Sequence, residues 1–137
     1  MRGDGGRGAA SEVVARVMID ARGAASPSAT ADLICPTVGG VLTGLAEGGA
    51  ADEIDPTVGE ILVTTEGVEA GRQHIWEGFP GRPGETTVYL FYYDKRERVG
   101  DGSLVDLYAR FFATLPRYKR GAARLERPTF GYIPGWS

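Results

Sequence analysis

Apolar positions along this chain fall into short runs, and the runs change period once. Val13 to Asp20, Val-Val-Ala-Arg-Val-Met-Ile-Asp, is almost continuously apolar. A run of that length predicts a strand buried on both faces, as in a parallel sheet. Leu33 to Leu45 interleaves β-branched residues with Gly39, Gly40 and Gly44, which predicts a long strand bent at its glycines, open to sharp curvature or close approach of a ligand. Ala46 to Asp55 is small and acidic and reads as a surface loop, and Glu60 to Glu66 as a further strand. From Arg72 to Asp94 two β-rich runs flank Pro80-Gly81-Arg82-Pro83-Gly84, a hairpin pattern. The period then becomes helical. Ser103 is a candidate N-cap with Asp106 three residues on, and Leu104, Leu107, Tyr108, Phe111, Phe112 and Leu115 share one face until Pro116 ends the helix. Arg127 to Ile133 gives a last short strand, stopped by Pro134-Gly135. The pattern predicts an α+β fold, with a mixed, mostly antiparallel sheet packed by one main helix. Residues 1–11 read as a flexible lead-in, and 12–137 as a single partial domain whose two ends look cut.

The hairpin carries the chemistry. By period 2, Gln73, Ile75, Glu77 and Phe79 share one face of its first strand. Val88, Leu90, Tyr92 and Asp94 share a face of the second. Glu77 thus stands between Ile75 and Phe79. A carboxylate among apolar neighbours is costly unless partnered or protonated, and the protonated case suits a proton donor. The plainer alternative pairs Glu77 with Arg72, His74 or a turn amide and makes it a fastener of the hairpin. Asp94 is the candidate second acid. The strand that ends at Asp20 runs into a glycine turn and Ser26, the place where open α/β sheets bind ligands.

Composition narrows the choice. The 137 residues suffice for one domain, and 42% hydrophobic with 24% charged is ordinary for a soluble chain. A net charge of -3 leaves no global basic field for nucleic acid. The one basic run, Arg117 to Arg127, reads as a solvated helix end and loop, with phosphate or lipid headgroups as the alternative. Cys35 is the only cysteine and His74 the only histidine, so no four-ligand zinc site or internal disulfide can form within the chain, and no metal is expected. A Cys–His nucleophile pair would need these two to meet; Cys35, before Pro36 in an apolar run, reads as a small core residue. No apolar run approaches the ~20 residues of a membrane span, and no signal peptide is expected from the glycine-rich start. The expectation is a cytoplasmic protein with room for peripheral contact with a membrane. Gly3, Gly5 and Gly8 match G-x-G-x-x-G in form, but no strand precedes them, so the dinucleotide reading is rejected.

Several stretches in order resemble one family. Asp20-Ala21-Arg22-Gly23-Ala24-Ala25-Ser26 is similar to the Asp-Ala-x-Gly-x-x-Ser motif of two-domain flavoproteins of the hydroxylase and lycopene cyclase type. Trp76-Glu77-Gly78-Phe79-Pro80, Thr86 to Phe91, Ser103 to Tyr118 with its Leu115-Pro116-Arg117-Tyr118, and Arg127 to Pro134 follow. Together they resemble the CruA/CruP-type lycopene cyclases, over residues 13–134. The resemblance implies an FAD-dependent fold, with the end of the FAD-binding half at 12–30 and the substrate-domain sheet and helix at 31–137. It implies conversion of acyclic carotenoid ends to β-ionone rings, with an apolar carotenoid as the partner. Asp20, Gly23 and Ser26 would lie near the flavin. Glu77 and Asp94 would be the acid–base pair, and Trp76, Tyr89, Phe91 and Tyr92 would line the polyene, beside the plain reading of these aromatics as sheet core. The family's glycine-rich FAD fingerprint belongs upstream of Met1 and its C-terminal flavin segment beyond Ser137. The chain is therefore expected to be an internal portion, inactive by itself. Two other readings stay open: part of another FAD-dependent oxidoreductase acting on an apolar substrate, and a non-catalytic apolar-ligand-binding domain.

Overall fold

The computed structural model describes residues 12–19, 21–22, 32–64, 71–101 and 103–135. Its centre is β1 (Leu33–Leu45). The other strands are β2 (Glu60–Val63), β3 (Ile75–Pro80), β4 (Glu85–Phe91), β5 (Asp94–Lys95) and β6 (Gly121–Gly135), with a 3-10 turn at Arg96–Asp101 and one helix, α1 (Leu104–Tyr118), before β6. The sheet runs β2-β3-β4-β1, and every strand pair is antiparallel. Beside it stands one isolated parallel bridge, Glu47 with Ile54. The expected mostly antiparallel sheet packed by one helix is therefore what forms. Leu33 pairs with both Lys95 and Gly135. So β5 prolongs the β4 side of β1, while β6 follows its other edge.

The glycines of β1 make this possible. Gly39 and Gly40 have φ of 148° and 145°, a region that L side chains rarely adopt. A Cβ on Gly39 would overlap the Val88 carbonyl oxygen of β4, and one on Gly40 the Arg127 carbonyl oxygen of β6. What approaches these glycines is neighbouring backbone on both edges of β1, where the sequence suggested a ligand. The Gly39 carbonyl lies 2.6 Å from the Tyr108 hydroxyl of α1, which also reaches the Thr129 carbonyl at 2.9 Å. The two carbonyls belong to residues paired across β1 and β6, so one tyrosine holds the helix to both strands.

One face of the sheet is covered by α1. Ser103 caps the helix, its side chain accepting from the Val105 N–H at 3.0 Å, as the sequence predicts. Leu107, Phe111, Leu115 and Tyr118 are its buried stripe. They pack on Val38, Leu42, Trp76, Val88, Leu90 and Tyr92. Phe111 is fully buried, and burying a side chain of its kind stabilises the fold by about 1.5–3 kcal/mol. The helix does not stop at Pro116. It runs two residues further, because Leu115 and Tyr118 are core anchors and the Lys119 N–H closes the last turn on the Leu115 carbonyl at 2.8 Å. Lys119 is then drawn inside, where its Nζ donates to the Ala51 and Glu53 carbonyls at 3.0 and 2.7 Å and to Glu60 at 2.9 Å.

Three other expectations need correction. Residues 13–19 form no strand; Val13, Val14, Val17, Met18 and Ile19 are exposed. A strand buried on both faces needs a ladder on its edges, and no described strand pairs with this run. The last strand begins at Gly121 rather than Arg127, because β1 is long enough to pair it throughout, with irregularities beside Leu42 and Leu45. That turns most of the supposed basic loop into strand. Arg120 pairs with Glu53 and Asp52, Arg124 with Glu126, and Arg127 with Glu85. Residues 1–11 and the Thr65-Glu66 end of the expected second strand lie outside the described residues. No helix among the described residues is long and apolar enough to cross a membrane.

The glycine requirement is testable. Gly39→Ala is expected to lower unfolding free energy by about 2 kcal/mol or more, since strained φ and overlap with Val88 add together. Urea unfolding of the variant beside the parent measures it; equal midpoints would mean that β1 and β4 can separate without loss.

Candidate functional site

A groove of about 510 Å³ lies on the face of the sheet away from α1, where Cys35, Thr37 and Phe91 are buried and Glu77 and Tyr89 half-buried. The register builds it. Gly131, Thr37, Phe91 and Ile75 form one cross-strand row, and Thr129, Gly39, Tyr89 and Glu77 the next. Residues directly opposite one another in antiparallel strands present side chains to the same face. Cys35, Thr37, Glu77, Tyr89, Phe91 and Gly131 all border the groove. Tyr93 stands at its rim, edge-on to Phe91 at 5.8 Å.

Glu77 is half-buried here. Among the described residues no hydrogen bond or ion pair holds its carboxyl. The fastener role is therefore not what the geometry gives: Arg72 turns instead to Asp94 at 2.6 Å. Glu77 does share the face of Ile75 and Phe79, but that face is the open one. Its alternate positions, His74, Trp76 and Gly78, are the buried ones.

Asp94 is placed differently. It pairs with Ile34 at the start of β1 and does not border the groove. Its side chain is 4% exposed and bound by Arg72 at 2.6 Å, by Arg98 at 3.5 Å and by the Lys95 N–H at 2.8 Å. Burial by itself raises this carboxyl; the Arg72 hydrogen bond, the Lys95 N–H and the two arginine charges outweigh it and hold it below the ordinary 3.8. An acid expected to keep its proton is instead held ionised, because the chain supplies cations that its own strand pattern does not reveal.

The four aromatics divide by face. Tyr89 and Phe91 line the groove. Trp76 and Tyr92 lie on the helix side, in the core. Trp76 stacks on Tyr118 at 4.8 Å and leans on Phe111 at 5.2 Å. Tyr92 meets His74 edge-on at 5.5 Å and lies under the Arg72 guanidinium at 5.2 Å. His74 and Trp76 border a second cleft of about 390 Å³, between the β2–β3 edge and α1. Cys35 borders the groove and His74 this cleft, so they form no nucleophile pair. Burial pushes the Cys35 thiol up, the Thr37 hydroxyl 3.4 Å away pulls it down, and the Glu77 charge adds to the rise. The net shift is upward, which keeps it a neutral thiol.

The sequence reading missed Thr37 and Gly131 as groove residues and took Cys35 for core alone. Strand alternation assigns each a face, but only the β1–β6 pairing says that their face meets Glu77.

Asp20, Gly23 and Ser26, the expected flavin contacts, lie outside the described residues. Of the described residues, those between β5 and α1 include Gly100, but the first turn of α1 carries Asp106, which repels a pyrophosphate. The fold and site define an α+β domain with an apolar groove on an open sheet face and one carboxyl in it. No family model, curated protein or solved structure matches the chain.

The Asp94 cluster sets an acid limit. A carboxyl lowered in the folded state contributes stability above its unfolded value and loses it as pH falls through the folded one. Stability is expected to fall as pH drops below about 3.8. Asp94→Asn should be less stable at neutral pH and show a flatter acid limb in urea midpoints taken from pH 6 to pH 2. Parallel curves for parent and variant would remove Asp94 from the acid response.

Proposed function

We propose that the open sheet face is the substrate wall of a lycopene cyclase-type site, with Glu77 as the proton donor. The observation that carries this reading is a half-buried carboxyl, free of hydrogen bonds and ion pairs among the described residues, at the edge of an apolar groove lined by Tyr89 and Phe91. The ordered motif resemblance supports it. The substrate class is an acyclic carotenoid end.

The chemistry needs a proton in and a proton out. An apolar chain in the groove strips water from the Glu77 carboxyl. In this reading the carboxyl enters the reaction carrying its proton. Its O–H bond breaks as a C–H bond forms on the terminal double bond of the chain. The resulting cation closes a ring by forming a carbon–carbon bond, and loss of a ring proton restores a double bond. The carboxylate left on Glu77 is the base at hand for that second transfer. Atoms and electrons balance without redox change. Tyr89 and Phe91 offer π faces to the cation. Asp94 takes no part, since it is committed to Arg72 outside the groove. FAD remains an implication of the resemblance at Asp20, Gly23 and Ser26, and no step here runs through it.

The test is expression in lycopene-accumulating cells, in the protein's natural genomic context, followed by carotenoid analysis. Glu77→Gln should lower cyclic product by about 10²–10⁴-fold, the usual contribution of general acid–base catalysis, with folding and lycopene retention unchanged. Undiminished cyclisation would remove Glu77 from the chemistry. Lycopene retention without cyclic product, in parent and variant alike, would favour a binding domain over an enzyme.

A further inference from the structure

Gly131 borders the groove and Gly39 lies in the neighbouring cross-strand row, and the two are glycine for different reasons. Gly39 is demanded by the backbone, as its φ and the Val88 carbonyl show. Gly131 is not. Its φ is not in the left-handed region, and a Cβ built on it meets nothing within 4 Å. Neither strain nor crowding asks for glycine there. Glycine in a strand also weakens it, because it gains no packing and loses more freedom on folding. The position faces the groove, since it pairs directly with Thr37, which lines the same space. One row further on, the path leads over Gly39 to Tyr89 and Glu77.

We infer that Gly131 is a specificity-determining position. Its missing side chain sets the width of the groove and admits a methyl-branched apolar chain. The inference rests on the reading of the groove as an apolar-ligand site. Phe91, across β1 from Gly131 and in register with Thr37, forms the opposite wall. The free width between them is what a β-branched side chain at 131 would remove. An unbranched alkyl chain is slimmer and tolerates the loss.

The experiment compares the full-length protein with Gly131→Val and Gly131→Ala. Two probes are used: lycopene dispersed in detergent, and the unbranched alcohol hexadecanol. Thermal unfolding is followed in parallel. Gly131→Val is expected to keep or raise the melting midpoint, to bind lycopene about tenfold or more weakly, and to retain hexadecanol, with Gly131→Ala in between. The melting result separates this from a structural role, in which both probes and the midpoint would fall together and the inference would fail. Equal lycopene binding by parent and Gly131→Val would overturn the inference and leave the groove reading standing. A parent that binds neither probe would overturn the groove reading and the inference with it. If Gly131→Val does not fold, Gly131→Ala decides: unchanged lycopene binding by that variant overturns the inference, and weakened binding with hexadecanol retained supports it.

Discussion

The double close approach at Gly39 and Gly40 governs this structure. Carbonyl oxygens from β4 and β6 occupy the space where side chains would project from β1. Only glycine permits this at a φ near 145°, at the point where β1 has β4 along one edge and β6 along the other. The register of the whole sheet follows, because side-chain alternation has period 2 and a slip of one residue would exchange the two faces. Tyr108 then fixes the helix to the same point, reaching the Gly39 and Thr129 carbonyls together.

From that register come two unlike faces. One meets α1 and is filled by Val38, Leu42, Val88, Leu90 and the Trp76–Tyr118–Phe111 stack. The other carries the groove, with Cys35, Thr37 and Phe91 buried along it. The chemistry of the proposed site follows from this asymmetry. Had Glu77 been shifted by one position along β3 it would face the helix side, among Trp76, Phe111 and Tyr118. Instead it faces the groove, and among the described residues no hydrogen bond or ion pair holds it.

Asp94 shows the same physics with the opposite result. Both acids lie in or beside the hairpin, and both are shielded from water to some degree. Arg72 and Arg98 converge on Asp94, and together with the Lys95 N–H they outweigh the cost of burying its charge. Lys119 is a third instance: the ammonium is buried, and two carbonyls and Glu60 satisfy it. What a buried charge does is decided by its partners, and strand periodicity does not contain them.

Much of this protein was legible in its sequence, for local reasons. The Pro-Gly-Arg-Pro-Gly turn, the Ser103 cap and most of the 3.6-residue stripe from Leu104 to Leu115, Phe112 excepted, act through backbone and near neighbours and take the structures they predict. Glu77 could be singled out because a carboxyl in an alternating apolar strand breaks the pattern. The sequence could not say which hairpin face the helix covers, since the aromatics from Trp76 to Tyr93 fall on both. It could not unite Tyr89 and Phe91 with Glu77 while setting Trp76 and Tyr92 apart, or bring Thr37 and Gly131 to the same groove. Nor could it show that the apolar run at 13–19 would find no ladder among the described strands. Those outcomes rest on contacts between residues far apart in the chain, above all the pairing of β1 with β6. A strand's own alternation names two faces; only its neighbours decide which is core and which is site.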